Sequence, residues 1–254
     1  MSSPLVTIAV PSFNQGQFLN DALRSIFSQD VPVEVFVLDG GSTDTSLAII
    51  RNWEDRLAGW RSGRDRGQAA AINEGIAKGA APYVCWLNSD DFFLPGGLKA
   101  LLDVFEKKNS DSPVIYGRAW NVDSKGEKLR PYWTAPFSRQ HLANRCFISQ
   151  PATLIRRQAW EQVGGLDEDL RMAMDYDIWW RLYQQLGSFQ YVEIFVAANR
   201  RHDETKTTKN RKEHYQEAMR VVKRYHGRVP LKWYLAWPVM VNMWQLFQKM
   251  KKSG

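Results

Sequence analysis

The sequence predicts an α/β fold in which a mainly parallel sheet is covered by helices on both faces. Short apolar runs rich in β-branched residues recur through the first half of the chain, as buried parallel strands require. Segments whose apolar residues recur at helical spacing separate these runs. Each run ends in small polar or acidic residues, at the strand ends where open α/β sheets bind ligands.

The elements of the first half follow in chain order. Strands are predicted at 5–10, 33–38 and 83–87, and helices at 18–27, 47–53, 69–77 and 95–105. Pro95 opens the last of these helices, because proline is well tolerated in a first helical turn. Strands that alternate with helices form right-handed βαβ units, and these build a parallel sheet.

The second half is less regular. Strands are predicted at 114–120 and 152–155, and helices at 160–163, 175–186 and 213–225. The helix at 175–186 begins with two aspartates, which suit the positive end of the helix dipole. The sequence has no internal repeat and no long linker, so we expect a single domain.

The composition excludes several classes of protein. Hydrophobic residues make up 44% and charged residues 24%, which excludes disorder, collagen and coiled coil. A mean hydropathy of −0.43 argues against a protein with many membrane spans. Two cysteines, Cys85 and Cys146, are too few for a disulfide framework and suggest a reducing compartment. The N-terminus shows no pattern of a secretory signal.

Positive charge is concentrated at the end of the chain. Residues 200–254 hold 14 Lys and Arg against 4 Asp and Glu, whereas residues 1–199 hold 20 against 23. Such asymmetry is typical of a surface that faces a polyanion, either nucleic acid or an anionic membrane. A solvated basic helix would explain the same charge.

Polar side chains follow three of the predicted strands. They are Ser12 with Asn14, then Asp39, and then Asp90 with Asp91. Turn chemistry would account for any one of these loops, but three at one sheet edge favour a site. Adjacent carboxylates repel each other unless a cation or hydrogen-bond donors satisfy them. Mg²⁺ or Mn²⁺ with phosphate oxygens suits such a pair.

Six motifs in order carry a resemblance to a known family. They are Pro11-Ser12-Phe13-Asn14, Asp39-Gly40-Gly41-Ser42-Thr43-Asp44, Asp65-Arg66-Gly67-Gln68, Ser89-Asp90-Asp91, Gly164-Gly165-Leu166-Asp167-Glu168 and Asp175-Tyr176-Asp177. Over roughly residues 4–225 the chain resembles the family 2 glycosyltransferases of the GT-A fold, of the bacterial surface-glycan type.

The resemblance implies an inverting, metal-dependent enzyme. It would move a sugar from a UDP or dTDP donor to an acceptor hydroxyl, most simply on a lipid-linked glycan intermediate. It also implies a GT-A domain over 1–228, with a nucleotide-sugar half at 1–110 and an acceptor half at 111–228. Residues 229–254 would then form a C-terminal extension.

The resemblance assigns a donor site to seven residues. Asp39 would accept the N3–H of a pyrimidine, and Phe13 would stack on the base beside the Pro11 turn. The remaining members of this predicted nucleotide-sugar site are Asn14, Asp65, Gln68 and Asp90.

The resemblance also assigns the metal and the base. Asp91 would bind Mn²⁺ or Mg²⁺, with His202 as a further ligand. Asp175 would be the catalytic base, with Asp177 as its rival; Met174 stands where many relatives have Glu. Arg201 and Lys206 would contact phosphate.

Two aromatic features have alternative interpretations. The Trp179-Trp180 pair is either a sugar platform or, as helical spacing favours, core. The extension 229–254 is amphipathic, with Asn242, Gln245, Lys249 and Lys252 on one polar stripe. It predicts docking on an anionic membrane from the cytoplasmic side, while packing on its own domain or on a second subunit in a homodimer stays open.

Three other functions compete with sugar transfer. A sugar-phosphate nucleotidyltransferase would need a glycine-rich basic loop after the first strand, and the loop here has no Lys or Arg. A nucleic-acid-binding protein would use the basic tail but leaves the aspartates unexplained, so we expect no nucleic-acid partner. A sugar-nucleotide binder without activity would not need Asp175.

Overall fold

The computed structural model describes residues 3–107 and 110–243. The strands are β1 (Val6–Ser12), β2 (Val33–Asp39), β3 (Gly59–Ser62), β4 (Tyr83–Trp86), β5 (Phe92–Phe93), β6 (Val114–Val122), β7 (Lys128–Pro131), β8 (Thr153–Arg156) and β9 (Gln190–Arg200). The helices are α1 (Gly16–Phe27), α2 (Ser46–Asn52), α3 (Gln68–Lys78), α4 (Gly97–Lys107), α5 (Arg139–Asn144), α6 (Arg157–Gln162), α7 (Met174–Leu186), α8 (Lys206–Lys209), α9 (Arg211–His226) and α10 (Leu231–Trp237).

One mixed sheet runs through the described part of the chain. Its order is β3-β2-β1-β4-β8-β6-β9-β5, and β7 pairs with β6. The four strands from β3 to β4 are parallel, and β8 is antiparallel to both of its neighbours. Because β6 and β9 again run in the direction of β4, the mainly parallel sheet that we predicted is confirmed.

Helices cover both faces of the sheet, and successive side chains of β1 are buried in two different core layers. Ile8 and Val10 belong to the core layer with α1 and α4, whereas Ala9 between them belongs to the layer with α3 and α7. All three side chains are fully buried. Successive strand side chains point to opposite faces, so uniformly apolar strands require the two-sided burial that is seen.

The structure corrects some of the predicted elements. α4 begins at Gly97 rather than at Pro95, because Gly96 makes a turn with φ +71° before it. The eleven-residue β9 was not predicted. Its exposed and buried residues do not alternate, since the pairing with β6 contains register shifts.

The start of the C-terminal extension packs on the domain. α10 continues into a π-helical turn at Pro238–Met243. Trp233 is buried, and its Nε1 donates a hydrogen bond of 2.8 Å to the Ala143 carbonyl. Its own carbonyl accepts one of 3.1 Å from the Tyr215 hydroxyl. α10 therefore contributes Trp233 to the core.

The rest of the predicted polar stripe lies outside the described residues, namely Gln245, Lys249 and Lys252 and the side chain of Asn242. Among the described residues, no helix combines the length and the hydropathy that a membrane span needs.

Candidate active site

The carboxyl ends of five parallel strands meet at one edge of the sheet. Ser12, at the end of β1, lies opposite Asp39 at the end of β2, and Val122 of β6 lies opposite Arg200 of β9. β4 lies beside β1 and leads directly into Asn88 and the acidic turn. The topology therefore brings the motif loops together, as predicted.

Asp39 organises the loop after β2. It is 0% exposed. Its Oδ2 accepts hydrogen bonds from the backbone of Gly41 (3.0 Å) and Ser42 (2.9 Å) and from the Ser62 hydroxyl (2.6 Å). Its Oδ1 accepts one from the Ser42 hydroxyl at 2.5 Å. The carboxylate thus holds this loop, and the role of Asp39 as the acceptor of the base N3–H stays a prediction.

Asn14 joins the loops after β1 and β2. Its Oδ1 accepts a hydrogen bond of 2.9 Å from the Thr43 backbone, and its own N–H donates one of 2.8 Å to the Ser42 hydroxyl. Its φ of 51° is the left-handed conformation that asparagine tolerates best after glycine. Pro11 is buried within β1. Asn14 and Pro11 therefore shape the loop that presents Phe13.

Phe13 and Asp65 lie close together beside Gly40. The Phe13 side chain is 59% exposed, so it is not a core residue. A Cβ atom added to Gly40 would lie 3.3 Å from Phe13 Cδ2 and 3.5 Å from Asp65 Oδ2. Asp65 accepts a hydrogen bond of 2.9 Å from the Gly67 backbone, and its side chain is 20% exposed. An aromatic face and a carboxylate thus stand beside each other at the surface.

The acidic turn after β4 carries the predicted metal ligands. Asp91 is 6% exposed. It accepts a hydrogen bond of 2.9 Å from the Arg200 backbone and one of 3.2 Å from the Asn88 amide. Burial, followed by the negative charge of Asp90, raises the pKa of the Asp91 carboxyl to about 8. Two carboxylates in this position need a cation to be ionised together.

Arg200 holds the acidic turn through hydrogen bonds, a role that its position in the sequence did not indicate. Its Nε donates a hydrogen bond of 2.9 Å to the Asp90 carbonyl, and its Nη1 donates one of 2.8 Å to the Ser124 carbonyl. The residue is 4% exposed. Because it ends the unpredicted β9, the sequence alone gave no signal that separates it from Arg201.

His202 lies beside Asp90 rather than beside Asp91. Its Nε2 is 3.0 Å from Asp90 Oδ2, and its ring packs 4.7 Å from the Phe18 ring. Within the described part of the chain, its buried Nδ1 has no hydrogen-bond partner. The ring therefore orients Asp90, and its predicted place as a metal ligand stays a prediction.

A chain of amide side chains connects the acidic turn to the segment after β9. Gln68, the first residue of α3, donates a hydrogen bond of 2.8 Å to Asn88 and accepts one of 3.4 Å from Lys206. The Asn88 amide also donates to the buried Gln150 at 3.3 Å. Arg201 instead donates to Asn121 at 3.1 Å.

The residues present fit a divalent cation that arrives with a diphosphate. Across residues 3–107 and 110–243, no three His, Cys, Asp or Glu side chains form a ready metal cluster. Mg²⁺ and Mn²⁺ sites of this kind typically use one or two carboxylates together with substrate phosphates. Asp90 and Asp91, a partly exposed and a buried carboxylate, supply such a set.

Asp175 lies in the first turn of α7. Its Oδ1 accepts a hydrogen bond of 2.8 Å from the Tyr176 backbone. Burial of the carboxyl raises its pKa to about 6. A carboxylate that titrates near the working pH is well suited to accept a proton.

The structure excludes Asp177 as the base. Asp177 is 0% exposed. Its carboxylate accepts hydrogen bonds from Arg181 Nε at 2.6 Å and from the Tyr225 hydroxyl at 2.7 Å. A carboxylate enclosed by these donors cannot reach a substrate, and its role is to join α7 to α9.

Trp179 and Trp180 are core residues and not a sugar platform, because both are 0% exposed. Trp179 stacks on Trp86 at the end of β4, with 6.0 Å between the ring centroids. Asp175 lies one turn before Trp179, on the same side of α7. Trp179 thus packs the side of α7 that carries Asp175 toward the end of β4, the strand that leads into the acidic turn.

The sequence profile of the family described as glycosyl transferase family 2 matches residues 7–164, more than half of the chain. This chain belongs to glycosyltransferase family 2. The profile includes the loops of Phe13, Asp39, Asp65 and Asp91. Family membership favours an enzyme that transfers sugars over the nucleotidyltransferase and over the nucleic-acid-binding alternative.

Curated relatives agree with this assignment. An uncharacterized glycosyltransferase of Rickettsia typhi is 26% identical over 226 residues, which cover 84% of this chain and 70% of that protein. Chondroitin synthase of Escherichia coli is 26% identical over 235 residues, or 91% of this chain. The chain spans only 34% of that synthase.

Solved structures confirm the GT-A type of fold. S. aureus TarS 1–349 in complex with UDP-GlcNAc superimposes with a TM-score of 0.70 at 17% identity. The match covers 87% of this chain and 66% of the TarS chain. The mannosyltransferase PcManGT from Pyrobaculum calidifontis, in complex with GDP-Man and Mn²⁺, has a TM-score of 0.67 at 17% identity. The match covers 96% of this chain and 72% of the PcManGT chain.

Proposed function

We propose that this glycosyltransferase takes its sugar from a nucleoside-diphosphate donor bound at the ends of β1, β2 and β4. The observation that carries the proposal is that the exposed Phe13 ring and the Asp65 carboxylate lie together beside Gly40. An exposed aromatic ring can stack on a base, and a carboxylate can accept an imide N–H. Uracil, thymine and guanine all offer such a donor, so UDP and dTDP are the first candidates and GDP the next.

The diphosphate would lie toward the acidic turn. Asp91 and Asp90 would hold Mn²⁺ or Mg²⁺, with His202 orienting Asp90 from behind. When bound, the ion would neutralise the charge that develops on the leaving diphosphate. Arg200 fixes the turn through the Asp90 carbonyl and the Asp91 carboxylate, so the two acidic side chains are preorganised.

Asp175 would act as the base in an inverting transfer. In such a transfer the acceptor oxygen attacks the anomeric carbon from the side opposite the leaving group, and one base takes its proton. A carboxyl with a pKa of about 6 is ionised at neutral pH and retains more proton affinity than an exposed aspartate. Residues 111–228, which contain α7, would form the acceptor half.

We also propose that the acceptor is lipid-linked and that the enzyme works at the cytoplasmic face of the plasma membrane. α10 and the π-helical turn after it support this proposal with an exposed apolar face of Leu231 (70%), Tyr234 (55%), Leu235 (70%) and Val239 (58%). These positions fall on one side of a helix. The exposed basic residues Arg228 and Lys232 flank this face, which complements an anionic bilayer.

A binding experiment tests the donor and metal sites together. Calorimetry with UDP, dTDP and GDP, each with Mn²⁺ and with EDTA, should show Mn²⁺-dependent binding of at least one nucleotide. Asp91→Asn keeps the size of the side chain but removes its charge, so it should abolish most of the Mn²⁺ dependence. The control is Asp103→Asn, a surface carboxylate on α4, which should bind as the wild type does. Equal Mn²⁺ dependence in both variants would contradict the metal assignment.

A further inference from the structure

Glu217 on α9 is a buried carboxylate that the reaction described above does not use. It is 4% exposed. Its carboxylate accepts hydrogen bonds from the backbone N–H groups of Arg171 (3.3 Å), Met172 (2.5 Å) and Ala173 (2.6 Å). Three consecutive donors on one carboxylate make a strong, charge-assisted contact between two distant segments.

The segment held by Glu217 leads directly into the helix of the base. Ala173 is the N-cap residue of α7, and its side chain has no oxygen to cap the helix. A carboxylate is normally favoured at that position, because free N–H groups and the positive helix end lie there. Glu217 supplies the carboxylate from another helix, two residues before Asp175.

The charge of Glu217 also reaches the base. Besides burial, the negative charge of Glu217 helps to raise the pKa of Asp175. The other titratable groups that interact with Asp175 are Tyr132, Cys146 and Tyr176. Burial raises the pKa of all three, so they are neutral between pH 5 and 8.

Several basic groups face Glu217. Arg220 Nη2 is 3.8 Å from Glu217 Oε1, and its side chain is largely exposed. Lys206 and His214 also interact with Glu217, and burial lowers the pKa of each. Because these groups lie around Glu217, the test must measure the proton affinity of Asp175 itself.

We propose that Glu217 is a positioning residue for the transfer reaction: it holds the segment that enters α7 and acts electrostatically on Asp175. The proposal rests on the proposed role of Asp175 as the base. It separates two contributions, the geometry of the loop and the charge beside the base. Two substitutions of the same residue distinguish them, because Glu217→Gln removes the charge and Glu217→Asp keeps it at a shorter reach.

The first readout needs no substrate. Asp175 has a higher pKa in the folded state than the ordinary value of 3.8. Its favourable contribution to stability is therefore present below that value and is lost as pH rises to about 6. The difference in Tm between the wild type and Asp175→Asn, measured from pH 4 to 8, should level off near pH 6. The same difference in the Glu217→Gln background should level off at a lower pH, because a negative charge that favours the protonated form of Asp175 is removed.

The second readout is release of nucleoside diphosphate from the donor, with water as acceptor, across the same pH range. Glu217→Gln should move the acidic limb of the profile to lower pH. Glu217→Asp should leave the limb in place but lower the plateau about tenfold, because it no longer reaches all three N–H groups. Glu213→Gln, an exposed glutamate one turn earlier on α9, should match the wild type in both readouts.

Three outcomes would overturn the proposal. In one, the Tm difference caused by Asp175→Asn levels off at the same pH in the Glu217→Gln background as in the Glu213→Gln background. In another, the plateau rate of nucleoside diphosphate release is unchanged in Glu217→Asp. Failure of both Glu217 variants to fold would assign the residue a purely structural role. Undiminished release by Asp175→Asn would instead contradict the proposed base, and the Tm readout would still decide the electrostatic role of Glu217.

Discussion

Asp39 and Asp65 are two carboxylates of the predicted donor site that have different surroundings. Asp39 holds the loop after β2 through four hydrogen bonds and is buried. Asp65 lies beside Phe13, where a base would stack. Asp39 therefore folds the loop, its contact with the base stays a prediction, and Asp65 is the carboxylate that we propose as the acceptor of the base N–H.

Substitution of the two residues should separate folding from binding. Asp39→Ala leaves four hydrogen-bond donors without their carboxylate, two of them in buried bonds. We therefore expect it to lower the free energy of unfolding by about 3 kcal/mol. Asp65→Asn should leave Tm nearly unchanged and weaken nucleotide binding about tenfold, because a charged acceptor is lost. Urea unfolding and calorimetry measure the two effects.

The matched control for Asp65 is Asp55→Asn, an exposed aspartate of the turn at Glu54–Arg56. It should bind nucleotide as the wild type does. If Asp39→Ala folded normally and bound nucleotide weakly, while Asp65→Asn bound fully, Asp39 rather than Asp65 would be the acceptor of the base N–H.

The residues that sequence reasoning missed share a physical feature. Arg200 and Glu217 act on backbone groups of segments far away in the chain, at the acidic turn and at the entry to α7. Their partners are carbonyl and N–H groups, which every residue carries. A side-chain pattern therefore cannot reveal them, whereas the acidic pair Asp90-Asp91 is visible in the sequence itself.

At the scale of elements, α10 has two different faces. Trp233 on the inner face is buried and hydrogen-bonded to the domain. Leu231 and Leu235 on the outer face are each 70% exposed. Buried and exposed residues alternate at helical spacing, so the predicted membrane docking is compatible with packing on the domain. The inner face would pack on the domain and the outer face would contact the membrane.

We predict that the outer face of α10 binds anionic membranes. The double variant Leu231→Glu/Leu235→Glu should lose most of its co-sedimentation with vesicles that contain anionic lipid, because apolar burial is lost and charge repulsion is added. Binding of the wild type should weaken as salt is raised, since part of the attraction is screened.

The control for this experiment is the same kind of substitution at an exposed apolar residue outside α10. Leu129 of β7 is 59% exposed, and Leu129→Glu should sediment with vesicles as the wild type does. Equal sedimentation of the wild type and the α10 double variant would contradict membrane docking through this face. Deletion of residues 229–254 is a poorer test, since it would remove the buried Trp233.

At the scale of the whole molecule, the first half was predicted more completely than the second. β1, β2 and β4 are uniformly apolar and end in motif loops, so their type and order follow from the sequence. The register shifts in β9 and the antiparallel β8 depend on pairing between distant segments. Local patterns carry no such information.

The measurement that tests the central claim most directly is the release of nucleoside diphosphate from a panel of UDP-, dTDP- and GDP-sugars with Mn²⁺, by the wild type and by Asp175→Asn. The wild type should turn over at least one donor, with a rate that rises with pH through about 6 as Asp175 loses its proton. Asp175→Asn should release about 10²–10⁴-fold less, with donor affinity unchanged. A variant that keeps near-full turnover and the same acidic limb would contradict the account of this site.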